Sequence, residues 1–278
     1  MGDQGGLDLN LDYNLGKSDK VIGDGDIEFP DAGTTAHQIT LGAEYVPVSK
    51  LAVTLALPVA FLKYTGDPDL YPHSGGGRYD DGDTHTTLTD VRAGARYQVL
   101  EEPFALAPHL GVSIPVADYE TVGNTVAGRH LKALHVGIGA GRVIGDATYV
   151  HLMYEFSLVE KYDRTPDTAS HSQNRSDVAF TIGHKLLEQR LDIHLDANVR
   201  RTHGGVTFGE LEAGMLTASE AEFHDAILDE DLFLAGGGVG YQISNALSVQ
   251  LSARVFLSGA NTQNASVLAL GAAWSPLL

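Results

Sequence analysis

The sequence predicts an all-β protein, a closed antiparallel 12-stranded transmembrane up-and-down β-barrel with long extracellular loops and short periplasmic turns. Three observations lead to this prediction: apolar and polar residues alternate in many segments, several segments are long enough to cross a bilayer, and the connections alternate between long and short. The clearest segment is 191–200, where every odd position is apolar and every even position is polar. Only a β-strand sorts such a sequence onto two faces.

Alternation alone leaves two arrangements open. In a soluble sandwich or small barrel the aliphatic face packs a core and the polar face meets water. In a transmembrane barrel the aliphatic face meets lipid and the polar face lines the lumen. The polar positions here hold compact or charged residues (Gly, His, Asp, Arg, Asn, Ser) and few Lys or Glu. Because a confined lumen favours compact or paired side chains, this composition favours the membrane barrel over the soluble alternative.

Composition narrows the class further. The chain has 278 residues, 43% of them hydrophobic and 19% charged, a mean hydropathy of -0.05, a net charge of -18 and no cysteine. It is too apolar for a disordered chain, and it lacks the run of about 18 apolar residues that a transmembrane helix needs. The acidic balance argues against nucleic acid as a partner, and without cysteine there is no disulfide framework. We expect one barrel domain over residues 1–278. The start shows no secretory-signal pattern, so we expect the sequence to be the mature form if the protein is exported.

The strands and connections follow in order along the chain. The predicted strands are 7–13, 39–45, 51–61, 90–98, 104–114, 134–141, 149–156, 177–185, 191–200, 233–241, 247–257 and 267–274. Long loops are expected at 17–35, 64–85, 116–129, 160–176 and 201–231, and short turns at 47–50, 101–103, 145–146, 188–190 and 244–245. Aromatic residues near strand ends suit the girdles of a membrane barrel: Tyr13, Tyr45, Phe61, Tyr97, Phe104, Tyr241 and Trp274.

The longest loop carries a helix signal. Thr217 is followed three positions later by Glu220, a capping-box pattern, and Phe223, Ile227 and Leu228 fall on one helical face. We therefore predict a short helix from Thr217 to Leu228. The loop segment 208–229 is then a candidate lid or plug at the mouth of the barrel.

The polar face of the strands supplies the candidate functional residues. We predict that fourteen of them line the pore: Asp90, Arg92, Arg96, His109, His135, His151, Glu155, Asp177, Lys185, Asp192, His194, Asp196, Arg200 and Arg254. Lys132 and Arg142 are also expected inside, with Asp8 and Asp12 among the acids. Rings of charge set ion preference in pores, but the same residues could simply neutralise one another, and the two signs nearly balance.

The sequence gives less support to two other kinds of site, a metal site and a nucleotide site. Asp192, His194 and Asp196 share one strand face and could hold a divalent metal, although pairing with neighbours such as Lys185 and Arg200 is the simpler interpretation. The acidic loops 24–26 and 80–83 lack the full calcium-loop signature and are expected to be solvated surface. We therefore predict no metal site and no cofactor. The glycines of 137–141 lack nucleotide-loop spacing and are expected to face inward.

Two stretches resemble a known family. Residues 88–97 (LTDVRAGARY), and residues 237–243 (GGVGYQI) followed by 247–249 (LSV), resemble the outer-membrane barrel family associated with the MetA pathway of phenol degradation. The resemblance covers the region from Thr86 to the C-terminus. It implies passage of small molecules, aromatic ones among them, and it identifies no binding residue. Many outer-membrane barrels end on an aromatic residue, whereas Trp274 is followed here by four more residues.

These observations predict a channel or transporter in the bacterial outer membrane that lets small solutes cross a narrow lumen. Its expected surroundings are membrane lipid and lipopolysaccharide, and we expect a monomer without nucleic-acid partners. A non-transporting structural or surface-binding barrel is the alternative. A lipid hydrolase is a weaker one: His184 lies on the predicted outward face, but no serine can be placed beside it, so we predict no enzymatic activity.

Overall fold

The structure is a computed structural model that describes residues 4–25, 27–67, 79–163, 170–217, 220–221 and 223–276. Within these ranges the chain forms one antiparallel sheet and two short helices, and residues 220–221 are also helical. The strands are β1 (Leu7–Ile22), β2 (Glu28–Val48), β3 (Leu51–Tyr64), β4 (Thr84–Leu88), β5 (Asp90–Tyr97), β6 (Ala105–Pro115), β7 (Ala133–Ile144), β8 (Thr148–Val159), β9 (Asn174–Leu186), β10 (Leu191–His203), β11 (Asp231–Gln242), β12 (Leu247–Ala260), β13 (Thr262–Gln263) and β14 (Ser266–Trp274). The helices are α1 (Phe208–Glu212) and α2 (His224–Ile227).

The sheet closes into the predicted barrel. Strand β1 pairs with β2 on one side and with β14 on the other, so that Leu11 lies opposite both Leu41 and Ala272. Strands β4 and β5 both pair with β3 and count as one wall strand interrupted at Thr89, while β13 only extends the edge beside β1. The barrel wall therefore has 12 strands, and the predicted fold class is confirmed.

The two faces of the wall show which side meets lipid. Outward aliphatic side chains are left open, with Leu41 57%, Leu195 66% and Leu270 53% exposed. Inward polar residues are buried, with Glu155 only 5% and Asp196 only 6% exposed. This inversion is the opposite of a soluble protein, and it identifies the membrane arrangement. No helix in the described ranges is both long enough and apolar enough to span a membrane.

Five of the predicted girdle aromatics lie together at the end of the short turns. Each is 40% or more exposed, as expected for rings at a membrane interface: Tyr45, Tyr97, Phe104, Tyr241 and Trp274. Trp274 lies in register with Leu9 and Leu247, at the periplasmic ends of β1 and β12. The first expected loop, 17–35, is wrong, because β1 continues to Ile22 and β2 begins at Glu28. Polar residues there extend the hairpin beyond the membrane rather than forming a loop.

The extracellular loops form a packed layer over the mouth of the barrel. A first apolar cluster joins Val21 and Phe29 at the tip of the β1–β2 hairpin to Phe208 of α1. A second joins Tyr162 to Ile227 of α2, and both side chains are completely buried. Because these side chains come from distant loops, the loops hold one another in place.

The predicted helix from Thr217 to Leu228 is only partly correct. Its capping box is present, since the Glu220 amide donates to Thr217 Oγ1 over 3.2 Å and the Thr217 amide donates to the Glu220 carboxylate over 2.8 Å. Residues 218–219 and 222 lie outside the described residues. Phe223 has φ -102° and ψ 17°, which is not helical, so the helix that follows is limited to α2. The sequence analysis missed α1, which has its own capping box from Thr207 and Glu210.

Asp24 and Asp80 of the acidic loops take part in this layer, which corrects their interpretation as solvated surface, whereas Asp81 and Asp83 are exposed as expected. Asp80 accepts hydrogen bonds from the backbone amides of Asn124 at 2.7 Å and Thr125 at 2.9 Å. Asp24 accepts one from the Gly209 amide at 2.6 Å. Both carboxylates therefore join separate loops. Asp26 and the triple glycine at 75–77 lie outside the described residues.

Candidate functional site

The inward-facing residues surround three cavities within the barrel. The outer cavity, of about 620 Å³, lies toward the extracellular loops. The first inner cavity, of about 340 Å³, lies in the periplasmic half beside β5 to β8, and the second, of about 330 Å³, lies beside β1, β9 to β12 and β14. Each is large enough for a small organic molecule.

Most of the predicted pore residues border one of these cavities. The outer cavity is lined by Asp90, Arg92, His135, Glu155, Asp177 and Arg200. The first inner cavity is lined by Arg92, Arg96, His109, His151 and Glu155, and the second by Lys185 and Asp192. The remaining three, His194, Asp196 and Arg254, border none of the three cavities and are held in side-chain pairs on the wall. That the fourteen line a conducting pore stays a prediction.

Two other basic residues are not inside. Along β7 the inward positions are odd, as at His135 and Gly137, whereas Arg142 is even and exposed. Lys132, just before β7, is also exposed and of even number. The expectation that these two face the lumen is therefore wrong, because the strand alternation turns them the other way.

Glu155 is the centre of the charged level between the outer and first inner cavities. Arg92 donates to its carboxylate in a close ion pair, His109 Nε2 lies 2.9 Å from Glu155 Oε2, and His135 Nδ1 lies 3.3 Å from Oε1. Arg92 and Glu155 border both cavities. We call these four residues the Glu155 cluster.

A glycine makes part of this cluster possible. His109 on β6, Gly137 on β7 and Glu155 on β8 lie directly across from one another. A Cβ atom on Gly137 would overlap the His109 ring and the Tyr154 carbonyl oxygen. The missing side chain therefore leaves the space through which His109 reaches a residue two strands away.

The same arrangement occurs on the other side of the barrel. Asp196 on β10, Gly236 on β11 and Arg254 on β12 are in register, and Arg254 Nε forms a close ion pair with Asp196 across the glycine. Asp196 is thus paired, but not with Lys185 or Arg200 as the sequence analysis expected. Its true partner lies two strands away.

The three β10 residues considered as metal ligands, Asp192, His194 and Asp196, make other contacts. Asp192 Oδ2 lies 2.8 Å from His194 Nδ1 and accepts a hydrogen bond from the Tyr149 hydroxyl at 3.1 Å. Asp196 is held by Arg254. Among the described residues, no group of three or more His, Asp or Glu side chains is arranged to hold a metal ion.

A second charged group lies at the top of the outer cavity, and of its five members only Asp177 and Arg200 are among the predicted pore residues. Arg129 and Arg200 each place a guanidinium nitrogen 3.6 Å from Glu230 Oε2, and Arg200 Nε also donates to Asp177 at 2.9 Å. Arg175 borders the same cavity. We call Arg129, Arg175, Arg200, Asp177 and Glu230 the arginine group.

Loop residues of this region have shifted pKa values. Burial by itself raises the pKa of Glu230, but the guanidinium groups of Arg200, Arg175 and Arg129 lower it to about 2. Asp225 of α2 shows the opposite effect. Its burial raises the pKa to about 6, helped by the charges of Asp80 and Glu230 and opposed by His224. Glu230 is therefore a permanent anion at neutral pH.

Arg175 could have been found from the sequence, whereas Arg129 and Glu230 could not. The inward positions of β9 are odd, and Arg175 continues that alternation two residues before Asp177. The loop expected at 160–176 includes this position, whereas β9 begins at Asn174. Arg129 and Glu230 stand in irregular loops, where no periodic pattern shows which way a side chain points.

A hydroxyl–imidazole–carboxylate chain also borders the outer cavity. Ser113 Oγ lies 2.7 Å from His135 Nε2, and His135 Nδ1 lies 2.8 Å from Ser157 Oγ and 3.3 Å from Glu155. An acyl-transfer site also needs free amide donors for the oxyanion. Ser113 pairs with strands on both sides, so the neighbouring amides are used in the sheet. On the outer face, His184 Nδ1 lies 2.8 Å from Thr148 Oγ1.

Comparisons with known proteins agree with this geometry. A family model described as "Putative MetA-pathway of phenol degradation" matches residues 16–269, a much larger part of the chain than the resemblance from Thr86 onward. A search of the curated proteins found no match. Among solved structures, the COG4313 outer membrane channel from Pseudomonas putida F1 is similar, with TM-score 0.75, 11% identity and coverage of 99% of this chain and 97% of that chain.

Two autotransporter domains are similar in fold as well. The β domain of the Bordetella autotransporter BrkA has TM-score 0.55, 13% identity and coverage of 99% of this chain and 100% of that chain. The translocator domain of NalP from Neisseria meningitidis has TM-score 0.54, 11% identity and coverage of 98% and 89%. At these identities the likeness concerns the fold, which is that of outer-membrane barrels. The fold and the family match place the chain in the bacterial outer membrane.

Proposed function

Because the chain belongs to the MetA-pathway phenol-degradation family of outer-membrane barrels, we propose that it is a channel through which small solutes, including small aromatic or other organic molecules, diffuse across the outer membrane. Twelve strands lie between the eight that side chains just fill and the sixteen or more of open porins, which suits a narrow lumen. The solved Pseudomonas putida F1 barrel, described as an outer membrane channel, has the same fold.

One observation supports this proposal above all others: cavities lie on both sides of a single charged level inside the barrel. Arg92 and Glu155 border both the outer and the first inner cavity. A solute moving between these cavities passes the Glu155 cluster. The Arg92 side chain is 47% exposed, whereas that of Glu155 is 7% exposed, so the arginine is the partner that meets the solute.

The test is conductance of the refolded full-length chain in a planar bilayer, with a salt gradient to measure ion selectivity. Discrete, stable current steps are expected. Insertion into the bilayer without conductance would contradict the channel and favour the alternative of a structural or surface-binding barrel. The sign of the reversal potential then reports which charge dominates the narrowest level.

We also propose that segment 208–229 limits entry from the outside. Asp225 and Leu228 from this segment border the outer cavity, and its apolar side chains pack into both loop clusters. These contacts of its described residues support a role as a lid.

For its surroundings, we propose a monomer in contact with lipid and lipopolysaccharide. Exposed leucines occur on strands all around the wall, for example Leu11, Leu55, Leu110, Leu195 and Leu270, so no side of the barrel is set apart as an interface. Analytical ultracentrifugation in detergent tests this, with a single protein chain per micelle expected.

A channel fits the lumen better than a hydrolase does. The Ser113–His135–Glu155 chain lies within the wall, where strand pairing uses the amides that would stabilise an oxyanion. The role of His135 there is to connect two serine hydroxyls and Glu155. Absence of labelling by a fluorophosphonate probe is expected, and covalent labelling at Ser113 would contradict it.

A further inference from the structure

Arg175 is the one member of the arginine group that has no partner among the described residues. Its side chain borders the outer cavity, and its Nε atom is buried without a hydrogen bond. Arg129 instead donates to Gln173 at 2.9 Å, and Arg200 donates to Asp177. A buried guanidinium N–H without a partner is costly, so its presence suggests that a bound group completes its hydrogen bonds.

The nearby acids are already engaged. Asp177 is paired with Arg200, and Glu230 is shared by Arg129 and Arg200 and also accepts a hydrogen bond from Thr262 at 3.1 Å. Asp90 also borders the cavity and accepts a hydrogen bond from the Tyr119 hydroxyl at 2.5 Å. The cavity as a whole therefore has no excess of positive charge. The N–H groups of Arg175 are the donors of the arginine group that remain available to a ligand.

Another part of the same cavity is apolar. Leu232 and Leu234 of β11 and Val267 of β14 line it, together with Leu228 beside α2. Aliphatic residues facing inward are unusual in a barrel whose inner face is otherwise polar. The outer cavity thus has guanidinium donors and a separate apolar surface, within about 620 Å³.

We propose that the outer cavity is a binding site for a small organic carboxylate with an apolar body. A carboxylate matches the planar fork of an arginine and takes two parallel N–H donors, here those of Arg175. The apolar body then packs on Leu232, Leu234 and Val267. This site deepens the proposed channel function, since it names the class of solute that enters the lumen.

The test uses the full-length refolded protein in detergent and isothermal titration calorimetry with benzoate. Saturable binding of benzoate is expected, with much weaker binding of benzamide, which keeps the ring and loses the charge, and of acetate, which keeps the charge and loses the ring. Arg175→Met should weaken benzoate binding at least about 10-fold, because the charged hydrogen bonds are lost. Benzamide binding as tight as that of benzoate would overturn the proposal.

A matched control lies close to the cavity. Arg201 follows Arg200 on β10 and therefore points to the outer face, and it is exposed. Arg201→Met removes an arginine at the same end of the barrel and should leave benzoate binding unchanged. Arg175→Lys, which retains the charge without the fork, should give an intermediate affinity. Equal binding by wild type and Arg175→Met, with both folded by heat-modifiable mobility, would refute the site.

Binding and conduction are measured separately, so the two proposals can fail separately. A protein that conducts but binds no benzoate overturns the carboxylate site and leaves the channel. A protein that binds benzoate through Arg175 but never conducts overturns the channel and leaves the site.

Discussion

The ion pair of the Glu155 cluster allows a prediction of opposite sign for its two members. Glu155→Gln leaves Arg92 as an uncompensated cation between the outer and first inner cavities, whereas Arg92→Gln leaves Glu155 as an uncompensated anion. Glutamine has the shape of glutamate, is shorter than arginine and can still hydrogen-bond, so both variants retain a polar wall. The first should shift the channel toward anions and the second toward cations.

The size of the shift follows from Coulomb's law. An ion passing about 6 Å from one uncompensated charge gains about 0.7 kcal/mol at a dielectric constant of 80 and about 2.8 kcal/mol at 20. Because the same charge attracts ions of one sign and repels ions of the other, the energy difference between anion and cation is twice this value, about 1.4 to about 5.5 kcal/mol. Since every 1.4 kcal/mol is tenfold, the anion-to-cation permeability ratio should change by about 10-fold to about 10⁴-fold. The half-exposed Arg92 favours the lower part of that range for Glu155→Gln, because solvent screens the charge.

The assay is the reversal potential of single channels under a potassium chloride gradient at low ionic strength. Glu101→Gln is the matched control, because Glu101 pairs with Lys50 at 3.1 Å on the exposed periplasmic turns, away from the lumen. It should leave the reversal potential unchanged. Shifts of the same sign in Glu155→Gln and Arg92→Gln, or no shift in either, would refute the assignment of this pair to the conducting path. The double variant should return close to wild type.

Three further predictions concern the wall and the lid. A Cβ at Gly236 would overlap the Ala253 carbonyl oxygen, so Gly236→Ala should lower the free energy of unfolding by about 1–3 kcal/mol. A Cβ at Gly240 would meet Asp192 Cβ at 3.5 Å, an ordinary contact, so Gly240→Ala should lower it much less. Urea unfolding from lipid vesicles measures both variants. Deleting 208–229 should raise the conductance, and unchanged flux would refute the lid. The pKa of Asp225 is about 6 when folded and 3.8 otherwise, so this carboxyl should destabilise the loop layer progressively as pH rises from about 4 to about 6. Asp225→Asn should therefore slow amide hydrogen exchange in α2 at pH 8 but not at pH 4.

The structure gives an upper bound for the pH effect and shows that the two ends of the deletion can be joined. The pKa increase of Asp225 corresponds to about 3 kcal/mol at pH values above 6, an upper bound for what Asp225→Asn can restore. The lid deletion is feasible because Val206 bridges Leu228, and the Asp229 amide donates to the Val206 carbonyl at 2.8 Å, so the two cut ends lie close together. Equal exchange rates of α2 in wild type and Asp225→Asn at both pH values would contradict the pH prediction. Equal stability of Gly236→Ala and Gly240→Ala would contradict the steric argument.

The fold was predictable because it depends on a local pattern. In segment 191–200 the alternation assigns every side chain to a face, and the structure keeps that assignment, with Leu195 exposed and Asp196 buried. Helix α1 was not predictable in the same way, since its five residues are stabilised by a cap and by contacts of Phe208 with a distant hairpin. Two members of the arginine group were not predictable for a similar reason. Arg129 and Glu230 reach the cavity from loops, whose paths depend on tertiary packing.

The alternation of polar and apolar residues does not determine which inward side chains pair with each other. Lys185 lies directly across from Asp192, yet the close partner of Asp196 is Arg254, two strands away. This pair forms across a strand that has no side chain at the intervening position, which is Gly236. The glycines at inward positions are therefore informative about charge pairing, because each one opens a route between its two outer neighbours. A sequence with assigned register then predicts these pairs directly: an inward acid and an inward base flanking an inward glycine should form an ion pair across it.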